Sequence, residues 1–186
     1  MFVRTERLLL RPGWAEDAPA LARAIGEEAI VRNLATAPWP YDVSKARAFL
    51  AQERDPRLPG FLIFARTHGA PRLVGGCGLG HTPDGKDIEL GYWIGRQHWG
   101  LGYATEAGRA LVELADVLGI RALSAGHFID NPASGRVLRK LGFRPTGRVV
   151  PRESQGRGEA ELCALYVRDA GDDSMACPTS PVSLAA

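Results

Sequence analysis

The chain has 186 residues, 45% hydrophobic and 24% charged, which fits one globular domain able to bury a core without disulfide or metal staples. Its 23 basic and 21 acidic side chains leave a formal net charge of +2, too even to predict a nucleic-acid groove or a membrane patch. Cys77, Cys163 and Cys177 are too few, and odd in number, for a disulfide framework; no His or Cys pair has metal-ligand spacing, so no metal is expected.

Val3 to Arg11 reads as a strand, and Ala15 to Gly26 as a helix with Ala18, Leu21, Ala22 and Ile25 inward and Pro19 in its first turn. A loop with Pro38-Trp39-Pro40-Tyr41 leads to a second helix, with Ser44 as the expected N-cap and an end near Arg54. Three strands follow, Phe61 to Thr67, Leu73 to Leu79 and Asp87 to Gly95. The breaks between them are short, which implies antiparallel hairpins. The apolar positions 104, 107, 111, 114, 115 and 118 predict a long helix from Tyr103 to Leu118, with Gly119 as its C-cap glycine. Arg121 to Ile129 is a strand. Asn131-Pro132 then supplies an N-cap and a first-turn proline for a helix to Leu141, and strands near Arg144 to Arg152 and Glu159 to Arg168 close the pattern. Residues 170–186, rich in Asp, Ser, Pro and Ala, read as a disordered tail behind a domain over residues 1–169. The order β-α-α-β-β-β-α-β-α-β-β predicts a single α/β (α+β) domain, a mixed, mostly antiparallel sheet flanked by helices. With no signal-peptide core and no 18-residue apolar span, the expected compartment is the cytoplasm, away from membranes.

The chemistry concentrates in Gln97-His98-Trp99-Gly100-Leu101-Gly102-Tyr103-Ala104, between a strand and the long helix. Two glycines allow a tight turn and close approach of a ligand to the backbone. The helix start beyond them has free N–H groups that suit a phosphate or pyrophosphate. No GK[ST] follows and Thr105 stands where a dinucleotide fingerprint has its third glycine, so neither a P-loop nor a Rossmann turn fits.

Gln97-x-x-Gly100-x-Gly102 resembles the pyrophosphate loop of the GNAT acetyltransferase superfamily. Glu89-Leu90-Gly91-Tyr92-Trp93-Ile94, Asn131-Pro132-Ala133-Ser134, Leu141-Gly142-Phe143 and Thr5-Glu6-Arg7-Leu8-x-Leu10-Arg11 are similar to segments of its RimJ/RimL branch, in the same order over residues 2–168. The resemblance implies a GNAT fold and acetyl-CoA as cosubstrate, held where two strands splay. It implies main-chain contacts from Tyr92, Trp93 and Ile94 to the pantetheine arm. The amides from Gln97 through His98, Trp99, Gly100, Leu101, Gly102, Tyr103 and Ala104 to Thr105 would meet the pyrophosphate. Asn131 would contact pantetheine, Ser134 would face the thioester sulfur, and Glu89 would serve as general base through water. The implied acceptor is a protein N-terminal α-amine; a small amine or a non-catalytic CoA-sensing role are the alternatives. The acceptor cleft is expected from residues 31–43 and 150–158, with Trp39, Tyr41, Arg152, Glu153 and Arg157. The chain is expected to act as a monomer or homodimer.

Overall fold

The computed structural model describes residues 1–67 and 69–170; the expected tail from 171 onward and Cys177 lie outside the described residues. β1 (Val3–Arg4) and β2 (Leu8–Arg11) form a hairpin rather than the one strand expected, because Thr5-Glu6-Arg7 turns the chain and Thr5 N donates to Leu8 O at 3.0 Å. A 3-10 turn (Ala15–Asp17) leads into α1 (Ala18–Ile25), with Pro19 in its first turn and Leu21, Ala22 and Ile25 buried. A four-residue helix, α2 (Glu28–Val31), is too short to leave a periodic signal and was not expected. The cap of α3 (Val43–Leu50) is Asp42, not Ser44: its carboxylate accepts from Lys45 N at 3.0 Å and also takes the Ser44 hydroxyl.

β3 (Gly60–Ala65), β4 (Arg72–His81) and β5 (Ile88–Ile94) form the expected antiparallel meander. α4 (Tyr103–Val117) crosses over to β6 (Ala122–Phe128), ending on Gly119 at φ +78°. α5 (Pro132–Lys140) starts on the Asn131 cap, and a hairpin of β7 (Arg144–Ser154) and β8 (Glu159–Asp169) completes the domain. The described residues build one eight-stranded sheet, order β1-β2-β3-β4-β5-β6-β8-β7.

Alternation along the strands divides the core between two faces. Leu8, Leu10, Ile63, Val74, Leu90, Ile94, Leu123 and Ala125 pack with Ala107 and Leu111 of α4 and Leu138 of α5. Leu62, Phe64 and Leu73 face Leu21, Ile25, Ile30, Val31 and Ala46 on the helices α1 to α3. Cys77 and Cys163 are buried, and burial pushes the Cys77 thiol up to about 12, so it packs as an apolar group.

β5 and β6 are parallel neighbours, and their register is confined to Glu89↔Ser124. Each then runs toward its C-terminal end in a different ladder, β5 with β4 and β6 with β8, and the seam between them opens into a splay.

Candidate active site

Ladder geometry decides which backbone groups face the splay. Gly95 N donates to Val74 O at 2.8 Å, which makes Gly75↔Ile94 a non-hydrogen-bonded pair of the β4–β5 ladder. Alternation then turns the N–H and C=O of Tyr92 and Ile94 toward β6, while those of Trp93 pair with Gly76 on β4. Of the three residues expected to offer main chain, Trp93 is thus committed elsewhere, and its indole packs with the helices α1 to α3. The Ile94 carbonyl is taken as well: the Trp99 indole Nε1 donates to it at 2.7 Å. Tyr92 and the Ile94 N–H remain turned to the splay.

At the mouth of the splay, Gln97 and His98 lie in a 3-10 turn (Arg96–His98), followed by Trp99 to Gly102. Gly100 and Gly102 adopt φ of +78° and +81°, the left-handed region where a side chain is strained. A Cβ on Gly100 would meet nothing within 4 Å, so the loop's backbone is open to an incoming group. Gly102 caps α4 without a side-chain acceptor, leaving the N–H groups of Tyr103, Ala104 and Thr105 outside the helical ladder at the positive end of the helix dipole. Residues present therefore fit a pyrophosphate. His98 instead packs against Gly95 and toward the Tyr103 ring, with its Nε2 buried and unpartnered.

The loop is anchored by the N-terminal hairpin, a role that single-residue motifs did not reveal. Glu106, in the first turn of α4, accepts from Thr5 Oγ1 at 2.6 Å, Arg7 N at 2.8 Å and Arg7 Nε at 2.7 Å. Arg7 Nη1 also donates to Leu101 O at 2.9 Å, and its guanidinium lies 5.0 Å from the Tyr103 ring centre. Burial alone would push the Glu106 carboxyl up; these hydrogen bonds outweigh it and hold it below the ordinary value.

The two candidate catalytic side chains stand on opposite faces of the sheet. Tyr92 lies on the α4–α5 face, where its hydroxyl and Ser134 Oγ are 2.8 Å apart and it donates to Ser134 O at 3.1 Å. Ser134 is therefore turned to the strand rather than to bulk solvent. Asn131 Oδ1 accepts from Ser134 N at 3.4 Å and caps α5. Glu89 shares the parity of Trp93 and faces the α1–α3 side. There both carboxylate oxygens are gripped by Arg152 of β7, Nη2 donating to Oε2 at 2.6 Å and Nη1 to Oε1. The spacing of 63 residues hides this pair from any local reading.

The expected acceptor segments do meet. Ser154 Oγ donates to Leu34 O at 2.9 Å and Gln155 N to Ala35 O at 2.9 Å, docking the β7–β8 turn on the segment after α2. Arg157 donates to Arg32 O at 2.7 Å and forks Asp130 at 2.9 Å from both Nη atoms. Beside this network Glu28, Arg32, Asn33, Trp99, Asp130 and Asn131 line a cleft of about 460 Å³ at the C-terminal ends of β5 and β6. Glu153 lies on β7 beside Arg152, Tyr41 packs against the α1–α3 core, and Trp39 is largely exposed. His127 packs under Gly135 in the first turn of α5, and His81 is exposed. Among the described residues no cluster of three or more His, Cys, Asp or Glu could hold a metal, and no helix is long and apolar enough to cross a membrane.

The model of the acetyltransferase (GNAT) domain family matches residues 7–144. The N-acetyltransferase p20 of Bacillus licheniformis is 30% identical over 169 residues, spanning 88% of this chain and 92% of that protein. A GNAT-family acetyltransferase from Bacillus anthracis superposes with a TM-score of 0.77 at 20% identity, over 92% of this chain and all (100%) of that one. RimL, a ribosomal L7/L12 alpha-N-protein acetyltransferase solved with coenzyme A, superposes with a TM-score of 0.74 at 20% identity, again over 92% and 100%.

Proposed function

The chain belongs to the GNAT acetyltransferase family, and from that premise we propose that it transfers the acetyl group of acetyl-CoA to the α-amine of a protein N-terminus. The observation that carries the reading is the splay of β5 from β6 beside a glycine loop that opens onto a helix start. Bound there, acetyl-CoA supplies an acetyl group activated as a thioester. The amides from Gly100 to Thr105 hold the pyrophosphate, Tyr92 and the Ile94 N–H offer main chain to the pantetheine arm, and the Asn131 amide closes over it. Ser134, oriented by Tyr92, donates a hydrogen bond where thiolate charge develops. Glu89, on the other face, draws a proton from the acceptor amine through water.

An α-amine, with an ordinary pKa of about 7.7–8.0, is partly neutral at pH 7, whereas a lysine amine near 10.4 needs far more help. One carboxylate acting through water suits the first task. The likeness in fold to a protein α-N-acetyltransferase accords with this acceptor class. A thiol-release assay with acetyl-CoA tests it against peptides with free N-termini, the same peptides N-formylated but carrying lysine, and a panel of polyamines, amino acids and aminoglycosides. Turnover is expected with free N-termini alone. Turnover confined to the small amines would refute the acceptor assignment, and none with any amine would refute catalysis.

A further inference from the structure

We propose that Arg152 is the positioning residue for Glu89, holding it as an oriented carboxylate beside the seam where β5 parts from β6. The inference rests on the reading of Glu89 as the base. Glu89 and Arg152 side chains are 16% and 20% exposed, and the guanidinium meets both carboxylate oxygens. Such a fork fixes the carboxylate plane as well as its charge. Arg152 reaches β5 by passing over Gly126 of β6, where a Cβ would lie 3.5 Å from Nη1 and 2.8 Å from Cys163 Sγ. The arm is set at its base, since Ser154, two residues on, is tied to Leu34.

Arginine does not deprotonate in proteins, so the cation beside Glu89 persists across the working pH range. Cys163 of β8 has its thiol pushed up by burial, and Glu161, opposite Arg152 in the hairpin, pairs with Arg157 at 3.4 Å. In the step itself one N–H bond of the acceptor ammonium breaks, its electron pair stays on nitrogen, and the proton passes through water to the Glu89 carboxylate, which returns it to solvent.

The test is kcat and KM for acetyl-CoA and peptide in wild type, Arg152→Gln, Arg152→Lys and Glu89→Gln, with melting temperature and acetyl-CoA affinity as controls. Arg152→Gln is expected to lose about tenfold in kcat with KM for acetyl-CoA unchanged, a split that a merely structural loss would not give. Arg152→Lys, keeping charge but not the fork, should still show a several-fold lower kcat. Wild-type kcat in Arg152→Gln, or a loss carried only by KM or by acetyl-CoA affinity, overturns the proposal. Should Arg152→Gln not fold, wild-type kcat in Arg152→Lys overturns it. Full activity in Glu89→Gln instead removes the base itself, a separate failure.

Discussion

The hydroxyls of Tyr92 and Ser134 lie 2.8 Å apart, tying the strand on one side of the splay to the helix that starts beyond the other. Burial pushes the Tyr92 phenol up to about 12, so it stays protonated throughout the working range and can always hold Ser134 in place. Ser134→Ala and Tyr92→Phe should each lower kcat about tenfold or less, the effect of one hydrogen bond of ~1 kcal/mol. Steady-state kinetics with acetyl-CoA affinity measured in parallel checks this. A loss of a thousandfold in Ser134→Ala would give the hydroxyl a larger role, as obligatory proton donor.

Glu89→Gln should be costlier, lowering kcat by roughly 10²–10⁴-fold, the usual range for a general base. KM for acetyl-CoA should stay put, because transition-state help is lost without ground-state binding. The deficit should shrink at high pH as the amine deprotonates unaided. Full activity at neutral pH would move the search for a base to the cleft residues around Asp130.

Gly100→Val and Gly102→Val test the loop. Both glycines sit at positive φ, so a β-branched side chain is strained there as well as placed in the ligand's path. Calorimetry should show CoA affinity falling by at least about tenfold, and the thermal stabilisation that CoA gives wild type should disappear. Unchanged affinity in both variants would remove the loop from the cofactor site.

Acid should loosen the loop through Glu106. Its carboxyl is held below the ordinary value, despite burial, by Thr5 and Arg7. A depressed carboxyl contributes stability that is complete above its unfolded value and is lost as pH falls through the folded one. CoA affinity should therefore drop below about pH 4.5 in wild type. Glu106→Gln should bind CoA more weakly at pH 7 and show less of that acid-dependent drop. Parallel pH curves for the two proteins would exclude Glu106 as the group responsible.

Ser154→Ala should destabilise the fold by about 1–3 kcal/mol, since Ser154 is 1% exposed and its hydroxyl satisfies Leu34 O. Chemical denaturation measures this directly. A change within ~0.3 kcal/mol would mean that the β7–β8 turn does not need the tie to the segment after α2.

The sequence by itself carried whatever depends on neighbours along the chain. Asn131-Pro132 marked a helix start, Gly119 a helix end, the apolar period of 104 to 118 a helix face, and Gly100 and Gly102 a turn open to an anion. Capping, periodicity and positive φ are properties of a few consecutive residues, and they survive in one dimension. Local signals failed where two acceptors competed for one cap, as with Asp42 and Ser44, and where α2, barely one turn long, was too short for its period to repeat. Only the tertiary structure decided which partners meet across the sheet: Thr5 and Arg7 on Glu106, Tyr92 on Ser134, and Arg152 on Glu89. Those contacts join residues 42 to 101 positions apart, and their pairing follows from strand order and from which face each side chain takes. Trp93 shows the same division on a small scale. Its place beside the splay was legible, but the direction of its main-chain groups was set by the register of β5 against β4. Register is a relation between strands, and no single strand contains it.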